Sequence, residues 1–528
     1  MTEMWLALSR IERLCVVGLL SLALFELCLI GAYPILDKSD ARYALVALRM
    51  VLSGDWVTPT IDGVTPFWGK PPLAFWASAL SIRLFGANEF AARLPILLTI
   101  AATAGLTIDL GRRSRDRAFG LIAGCIFASM LYPLSMAGFV LTDQMLTFGI
   151  TLAMVSFWHA MTERDRLAGY LFFVGLAIAI LTKGLVGLAL AGPALLIWLI
   201  WNGRFVSAFR ILPVFSGGAL MIALALPWYL LAEWRTPGFL HYFIVGEHLM
   251  KFLQPGWTGD RYGAGRGGAS GWVWPFVMVG TLPWSLCVAE ALSRPSLRAM
   301  IPLRNALADP WIRFLLLWAI VPLIFFTLAG NVGLPYVLPT LPPIALLIAQ
   351  LLRDIGRDRW PRYLAFGMIV NAVTLTALVG AAQLWPYSVH VPTQKYILQL
   401  ARELGGYPDQ GIVYLDDKPY SADFYTLGRA RQAENMDKAL EANDQDFFVI
   451  LSECLVAIPE ELRSRYEIVG ERNKMSLLWN RDRALQSSRY NSGMSRPWPV
   501  ATPSQVPDTR ERCMSWSRHR NDRFDSNF

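Results

Sequence analysis

The sequence predicts an all-α polytopic membrane domain of about eleven to thirteen transmembrane helices, followed by a small extracytoplasmic α/β domain. Three observations lead there. Of the 528 residues, 54% are hydrophobic and 17% are charged, whereas a soluble domain holds about 45–50% and about 25%. Apolar runs close to the ~20 residues that a bilayer requires recur as far as Trp385. Beyond Trp385 the composition becomes that of a soluble domain with short apolar strands.

The runs lie near 12–33, 92–110, 118–136, 144–161, 169–183, 186–201, 213–232, 271–292, 312–330, 335–352 and 363–385. The first follows Arg10 and Arg13 and has no short apolar core with a small-residue cleavage site, so it reads as a transmembrane helix and not as a signal peptide. A further stretch, Leu73 to Phe85, carries Arg83 and follows Pro71-Pro72; it reads as a re-entrant or interfacial helix, or as part of a further span. Many of the 20 Trp, 17 Tyr and 28 Phe residues stand at the ends of these runs, where amphipathic rings favour the headgroup layer.

Alternate loops are basic: Arg112, Arg113, Arg115 and Arg117; Arg164 and Arg166; Arg204 and Arg210; Arg294, Arg298, Arg304 and Arg313; Arg353, Arg357, Arg359 and Arg362. Lys and Arg near span ends are retained in the cytoplasm, so these loops and the N-terminus share the cytoplasmic side. The opposite face receives the long segments 33–91 and 233–270, the turns at Gly138–Asp143, Lys183 and Gly330–Leu334, and everything after Trp385.

The chain thus divides into a membrane domain over 1–385 with outer loops 33–91 and 233–270, a small α/β domain over 386–485, and a tail over 486–528. In the second part, Gly411–Leu415, Phe447–Leu451 and Ser476–Trp479 read as strands and 431–442 as a helix, by their apolar runs and flanking turn residues. The tail is rich in Ser, Arg, Pro and Asn with few aliphatic residues, a composition that predicts disorder.

A net charge of +8 raises nucleic acid as a partner, but the arginines fall in short loops and in the last forty residues, which leaves no continuous basic face. Six scattered cysteines without CxxC spacing imply neither a disulfide framework nor a zinc site. No internal repeat is visible, which argues against the repeat-built secondary transporters.

Segment 33–91 gathers acids, bases and aromatics: Asp37-Lys-Ser-Asp-Ala-Arg-Tyr43, Ser53-Gly-Asp-Trp-Val-Thr-Pro59 and Phe67-Trp-Gly-Lys-Pro-Pro72. Asp40 fits an N-cap for a helix over 41–53, or a carboxylate general base at the bilayer surface. Lys70 is held extended by the following proline; it suits an anionic leaving group, or snorkels to lipid headgroups. Asp143 starts a helix and fits a cap as well as an acid. Lys183, in Leu181-Thr-Lys-Gly184, lacks the glycine spacing and following Ser/Thr of a phosphate loop. Glu247-His-Leu-Met-Lys251 supplies an acid, a histidine and a base without the HExxH spacing of a zinc helix. Threading places Asp40, Lys70, Asp143, Lys183, His248, Lys251 and Tyr336 on the same outer side.

At these residues the sequence resembles the GT-C membrane glycosyltransferases, in the branch containing the aminoarabinose transferase ArnT and the dolichyl-phosphate-mannose protein mannosyltransferases (PMT). The resemblance covers about residues 30–350. Besides the blocks above, Asn88-Glu-Phe-Ala-Ala-Arg-Leu-Pro95, Leu141-Thr-Asp143, Leu181-Thr-Lys-Gly184, Pro227-Trp-Tyr229, Glu247-His-Leu249 and Leu334-Pro-Tyr-Val-Leu-Pro339 resemble family blocks and stand in family order.

The resemblance implies a GT-C fold and an inverting glycosyltransferase of the bacterial inner membrane, with active site and C-terminal domain in the periplasm. The donor is implied to be a sugar on a polyprenyl phosphate, and the acceptor an envelope glycolipid such as lipid A, with 4-amino-4-deoxy-L-arabinose as the candidate sugar. A protein hydroxyl or a polysaccharide is the alternative acceptor, and a lipid-linked-sugar transporter the alternative class. By matching positions Asp40 is the catalytic carboxylate, with Asp143 as a second acid and Asp37 in reserve. Lys70, Lys251, Tyr336 and Arg42 hold the donor phosphate, and Tyr43, Lys183, His248 and Glu247 contact substrate. Two positions depart from the pattern. Gly69 stands where family members often carry a Glu that joins a His in holding a divalent metal, which leaves His248 as the candidate ligand. Gly330-Asn-Val-Gly333 replaces a lysine-rich turn.

Overall fold

The computed structural model describes residues 8–262, 271–294, 307–354, 360–384, 391–404, 412–442, 444–472, 474–481 and Cys513. The arginines at 298, 304, 357 and 359 and, apart from Cys513, the tail expected to be disordered lie outside these residues.

The chain is a multi-pass membrane protein. Seven helices among the described residues are long and apolar enough to cross a bilayer: Glu89–Ser114, Asp143–Glu163, Arg166–Lys183, Val214–Arg235, Pro310–Thr327, Leu334–Asp354 and Tyr363–Ala381. Two bent pairs raise the number to nine, Val186–Trp201 with Phe205–Ile211 at 115° and Val273–Gly280 with Trp284–Ser293 at 101°. The expected eleven to thirteen crossings are reached only by adding Arg10–Leu29, 20 residues long with four charged side chains, and the two 13-residue helices Leu73–Phe85 and Arg117–Ser129. The second bend interrupts the run expected to span over 271–292. It falls at Thr281-Leu-Pro283, where proline cannot donate the next helical hydrogen bond.

Two compact units emerge. The first, Met1–Tyr33 with Met50–Val379, is helical. Its Asp143–Glu163 and Arg166–Lys183 helices form a tight hairpin because glycines face each other: a Cβ on Gly175 would stand 2.5 Å from the Ala153 nitrogen, and one on Gly149 would stand 2.9 Å from the Gly175 oxygen. Without a hydrophobic drive between helices in lipid, such backbone approach supplies the packing. The hairpin brings the first residue of one helix, Asp143, to the same end as the last residue of the other, Lys183. Phe157, Trp158, Trp198, Trp311 and Phe314 fill the core alongside, with ring centres 4.9–6.5 Å apart.

The second unit comprises Pro34–Arg49 and Gly380–Phe528, so the boundary runs through helix Ser39–Ser53 and gives the Asp37–Tyr43 block to the unit that carries the C-terminal sheet. That sheet has five strands, β1 Ile412–Tyr414, β2 Arg431–Gln432, β3 Phe447–Leu451, β4 Tyr466–Arg472 and β5 Met475–Asn480, in the order β2-β1-β3-β5-β4. The first three strands pair in parallel; β5 runs antiparallel to both β3 and β4. Alternate residues of β3 feed two cores, Phe447 and Val449 on one face and Phe448 and Ile450 on the other, as a period of two requires. The expected helix over 431–442 is shorter: Arg431 and Gln432 belong to β2, and the helix runs Met436–Ala442. Cys454 and Cys513 form a disulfide with Cα atoms 5.9 Å apart, where the sequence reading left both unpaired. They are 59 residues apart, and spacing alone cannot reveal such a pairing.

Candidate functional site

In the first unit, Lys70 sits ahead of Pro71 and Pro72, the residue before helix Leu73–Phe85. Its turn is fixed from outside: Tyr262 Oη accepts from the Trp68 N–H at 2.8 Å and donates to the Pro66 carbonyl at 2.9 Å, with the Phe67 ring edge-on 4.6 Å away. Lys70 Nζ then reaches Glu247 Oε2 at 2.9 Å. Glu247 lies on a π-helix, Tyr242–Met250, a wide turn common at functional positions. It also accepts from Lys251 Nζ at 3.3 Å and from Tyr242 Oη at 3.3 Å. Lys251 in turn pairs with Asp260 at 2.7 Å. Burial opposes the charge of Glu247, but the Lys70 and Lys251 ammonium groups outweigh it and hold the carboxyl down to about 2. Burial also pushes the Tyr242 and Tyr262 phenols up, so both remain hydrogen-bond donors.

Lys183 closes its helix ahead of Gly184, whose φ of +73° suits glycine. Its ammonium pairs with the Asp143 carboxylate and lies 4.1 Å from the centre of the Tyr336 ring. The expected capping role of Asp143 is not the one observed: Thr142 is the residue ahead of the helix, and the Asp143 carboxylate goes to Lys183.

Lys70, Lys183, Glu247, His248, Lys251 and Tyr336 line one cavity of about 250 Å³, completed mainly by apolar side chains such as Leu185, Val186, Phe252, Phe325 and Phe326. Asn331 also lines it, but its amide is occupied: Nδ2 donates to the Lys251 and Gln254 carbonyls at 2.7 and 3.0 Å, and Oδ1 accepts from the Gly256 N–H at 3.3 Å. The Gly330–Gly333 turn thus braces the Lys251 segment.

A divalent metal does not fit these residues. His248 Nδ1 donates to the Phe243 carbonyl at 2.7 Å, and Nε2 lies 3.1 Å from the Leu185 N–H and 3.2 Å from the Lys183 carbonyl, so both ring nitrogens serve the backbone. Burial holds this histidine below its usual value. Gly69 offers no ligand, and a Cβ there would meet Phe67 at 2.9 Å and Tyr262 at 3.1 Å. Glu247 is committed to two lysines.

Asp37, Asp40, Arg42 and Tyr43 belong to the second unit. Helix Ser39–Ser53 starts ahead of Asp40, which places this residue inside the first turn and not at the expected cap. Its Oδ2 accepts from the Leu36 N–H at 3.0 Å, and the residue is buried. Asp37 accepts from the Ser421 N–H at 2.9 Å and from the Ser421 hydroxyl, a tie to the C-terminal part of the unit. Burial raises the Asp37 carboxyl to about 6 despite these bonds. The Arg42 guanidinium stands 5.2 Å from the centre of the Tyr43 ring.

Sequence reasoning missed Asp260, Tyr242 and Tyr262. The signal available was Gly259-Asp-Arg-Tyr262 inside an outer segment, polar residues next to a turn-forming glycine.

The dolichyl-phosphate-mannose-protein mannosyltransferase family matches residues 30–243. Two curated relatives carry the name undecaprenyl phosphate-alpha-4-amino-4-deoxy-L-arabinose arabinosyl transferase. The one from Shewanella sediminis is 27% identical over 402 residues, covering 73% of this chain and 68% of the relative. The one from Aeromonas salmonicida is 31% identical over 367 residues, covering 66% of this chain and 63% of the relative. The chain therefore spans about two thirds of the length of these relatives. Among solved structures, ArnT from Cupriavidus metallidurans bound to undecaprenyl phosphate superposes with a TM-score of 0.67 at 18% identity, over 91% of this chain and 99% of that one, which shows the same fold. In motif order and relatives the chain is thus similar to the ArnT and PMT glycosyltransferases, and it shares the fold of ArnT.

Proposed function

We propose that this chain moves a sugar from a polyprenyl-phosphate donor to an envelope glycolipid such as lipid A at the periplasmic face of the bacterial inner membrane, with inversion. The observation that carries the reading is the junction of three lysines with an apolar wall in one cavity. A polyprenyl phosphate has the matching chemistry, an anionic headgroup on a hydrocarbon chain. The names of the relatives support undecaprenyl phosphate as the carrier and 4-amino-4-deoxy-L-arabinose as the sugar.

In this reading an acceptor hydroxyl oxygen attacks the anomeric carbon while the bond from that carbon to the phosphate oxygen breaks. The electron pair leaves with the phosphate, whose added charge Lys70, Lys251 and Lys183 stabilise, with the Tyr336 hydroxyl as a neutral donor. The acceptor proton passes to a carboxylate. The Asp37–Tyr43 motif supports Asp40 for that role, and the ion pair with Lys183 supports Asp143 as the residue that orients a cation. Two observations support the periplasmic assignment, the alternation of basic loops and the Cys454–Cys513 disulfide, a bond that persists in oxidising compartments.

Mass spectrometry of envelope lipids tests the proposal in cells with the gene deleted, restored, or replaced by Asp40→Asn. The expected result is a glycolipid lighter by one sugar residue in the deletion, recovered with the wild-type gene only. Unchanged lipids would overturn the glycolipid acceptor in favour of a protein or polysaccharide one, and recovery with Asp40→Asn would remove Asp40 from the chemistry.

A further inference from the structure

Each cavity lysine already has a carboxylate: Glu247 for Lys70 and Lys251, Asp260 for Lys251, and Asp143 for Lys183. The formal charge over these six side chains is therefore zero. Glu247 differs from the other two acids. It lines the cavity and joins lysines from two parts of the chain, 177 and four residues away. Its ionisation is secured by those same lysines.

On the donor reading above, the charge of the ligand changes during the reaction. The donor is a phosphodiester with one negative charge. Breaking the bond between anomeric carbon and phosphate oxygen leaves an electron pair on that oxygen, and the product is a phosphomonoester of about −1.5 to −2 at neutral pH. A cavity of uncompensated lysines would hold this product more tightly than the donor and delay its exit.

We propose that Glu247 is a positioning residue that sets the ligand preference of the cavity, holding Lys70 and Lys251 at its wall while cancelling one of their charges, so that the phosphomonoester product gains less over the phosphodiester donor than the lysines alone would give it. A fixed negative charge repels a dianion twice as strongly as a monoanion at the same distance. At a separation of ~6 Å and an effective dielectric constant of ~20, that difference is on the order of tenfold in affinity for a product of about −1.5 and a hundredfold for a full dianion. Glu247→Gln keeps the shape and one acceptor oxygen but removes the charge. Both ligands then tighten, the monoester more.

The test uses the full-length protein in detergent, with a polyprenyl monophosphate and its O-methyl phosphodiester as probes and calorimetric affinities as the readout. In Glu247→Gln the monoester-to-diester affinity ratio is expected to rise about tenfold over wild type, and steady-state turnover to show stronger inhibition by the monophosphate. A merely structural role would weaken both probes and leave the ratio where it was; an unchanged or lower ratio overturns the proposal. If Glu247→Gln does not fold, Asp260→Asn removes the second carboxylate on Lys251 and is expected to move the ratio the same way by a smaller factor, with no movement again overturning it. Wild-type protein that binds neither probe would instead overturn the donor reading itself, and this proposal with it.

Discussion

The Lys183 ammonium stands 4.1 Å from the centre of the Tyr336 ring, on chain segments 153 residues apart in the sequence. Asp143 holds it there, and the two paired side chains are 8% and 9% exposed. Removing one partner of a buried pair strands the other charge, at about 3–5 kcal/mol, whereas removing both together costs far less. Asp143→Asn is therefore expected to destabilise the protein by about 3 kcal/mol or more, and Asp143→Asn combined with Lys183→Met to recover most of that loss. Thermal unfolding in detergent checks this. Additive effects of the two changes would show that the pair is not energetically coupled.

Much of this site was legible because its residues are polar and lie at span ends. Lys70, Lys183, Lys251 and Tyr336 all fell on one side by loop charge alone, and family motifs marked each of them. The pairing of Lys70 with Glu247 was not legible: it joins residues 177 apart, and hydropathy carries no register between distant helices. The same limit hid Asp260, Asn331 as a brace, and the Cys454–Cys513 bond. In the fold, the Leu73–Phe85 helix was read to the residue because a proline pair and a glycine bound it. The bend at Pro283 was missed because the apolar run continues through it, and β2 because two residues are too few to show a period.

The metal question turns on Gly69 and His248. Gly69→Glu would place a Cβ 2.9 Å from Phe67 and push the Phe67–Tyr262 contact apart, while His248 would still have both nitrogens on the backbone. Chelator treatment of the purified enzyme is expected to change turnover by less than about twofold. Gly69→Glu is expected to lower stability by about 1–3 kcal/mol, as overpacking does, without making activity metal-dependent. Loss of activity on chelation, restored by a divalent ion, would refute this.

Two acids in the second unit make its stability depend on pH. Burial raises Asp37 to about 6 and Asp416 to about 7, against about 4 for an aspartate in an unfolded chain. Between about pH 4 and 7 the folded unit therefore binds more protons than the unfolded one, and stability falls as pH rises through that window. Asp416→Asn retains an acceptor for the Leu451 N–H, which reaches Asp416 Oδ2 at 2.6 Å, and removes one titration. Hydrogen-exchange protection of the β1, β3 and β5 amides, corrected for intrinsic rates, is expected to be higher at pH 5 than at pH 8 in the wild type, with a flatter profile in Asp416→Asn. Protection that increases toward pH 8 would contradict the assignment.

The disulfide gives a count that needs no activity. Of the six cysteines, Cys15, Cys28, Cys125 and Cys287 are free and Cys454 and Cys513 are joined. Alkylation of the denatured protein without reductant is therefore expected to add four labels, and after reduction six, with one cross-linked peptide pair lost between the two digests. The loop closed by the bond has 59 residues, which by chain entropy corresponds to about 4 kcal/mol of constraint on the unfolded chain. Cys454→Ser should thus loosen the second unit, and hydrogen exchange in β3 and β4 should report it, while the hairpin that carries Asp143 and Lys183 in the first unit keeps its protection. The count also tests orientation. A C-terminal unit facing the reducing cytoplasm would yield six labels without reductant, and that result would reverse the threading on which the periplasmic assignment rests.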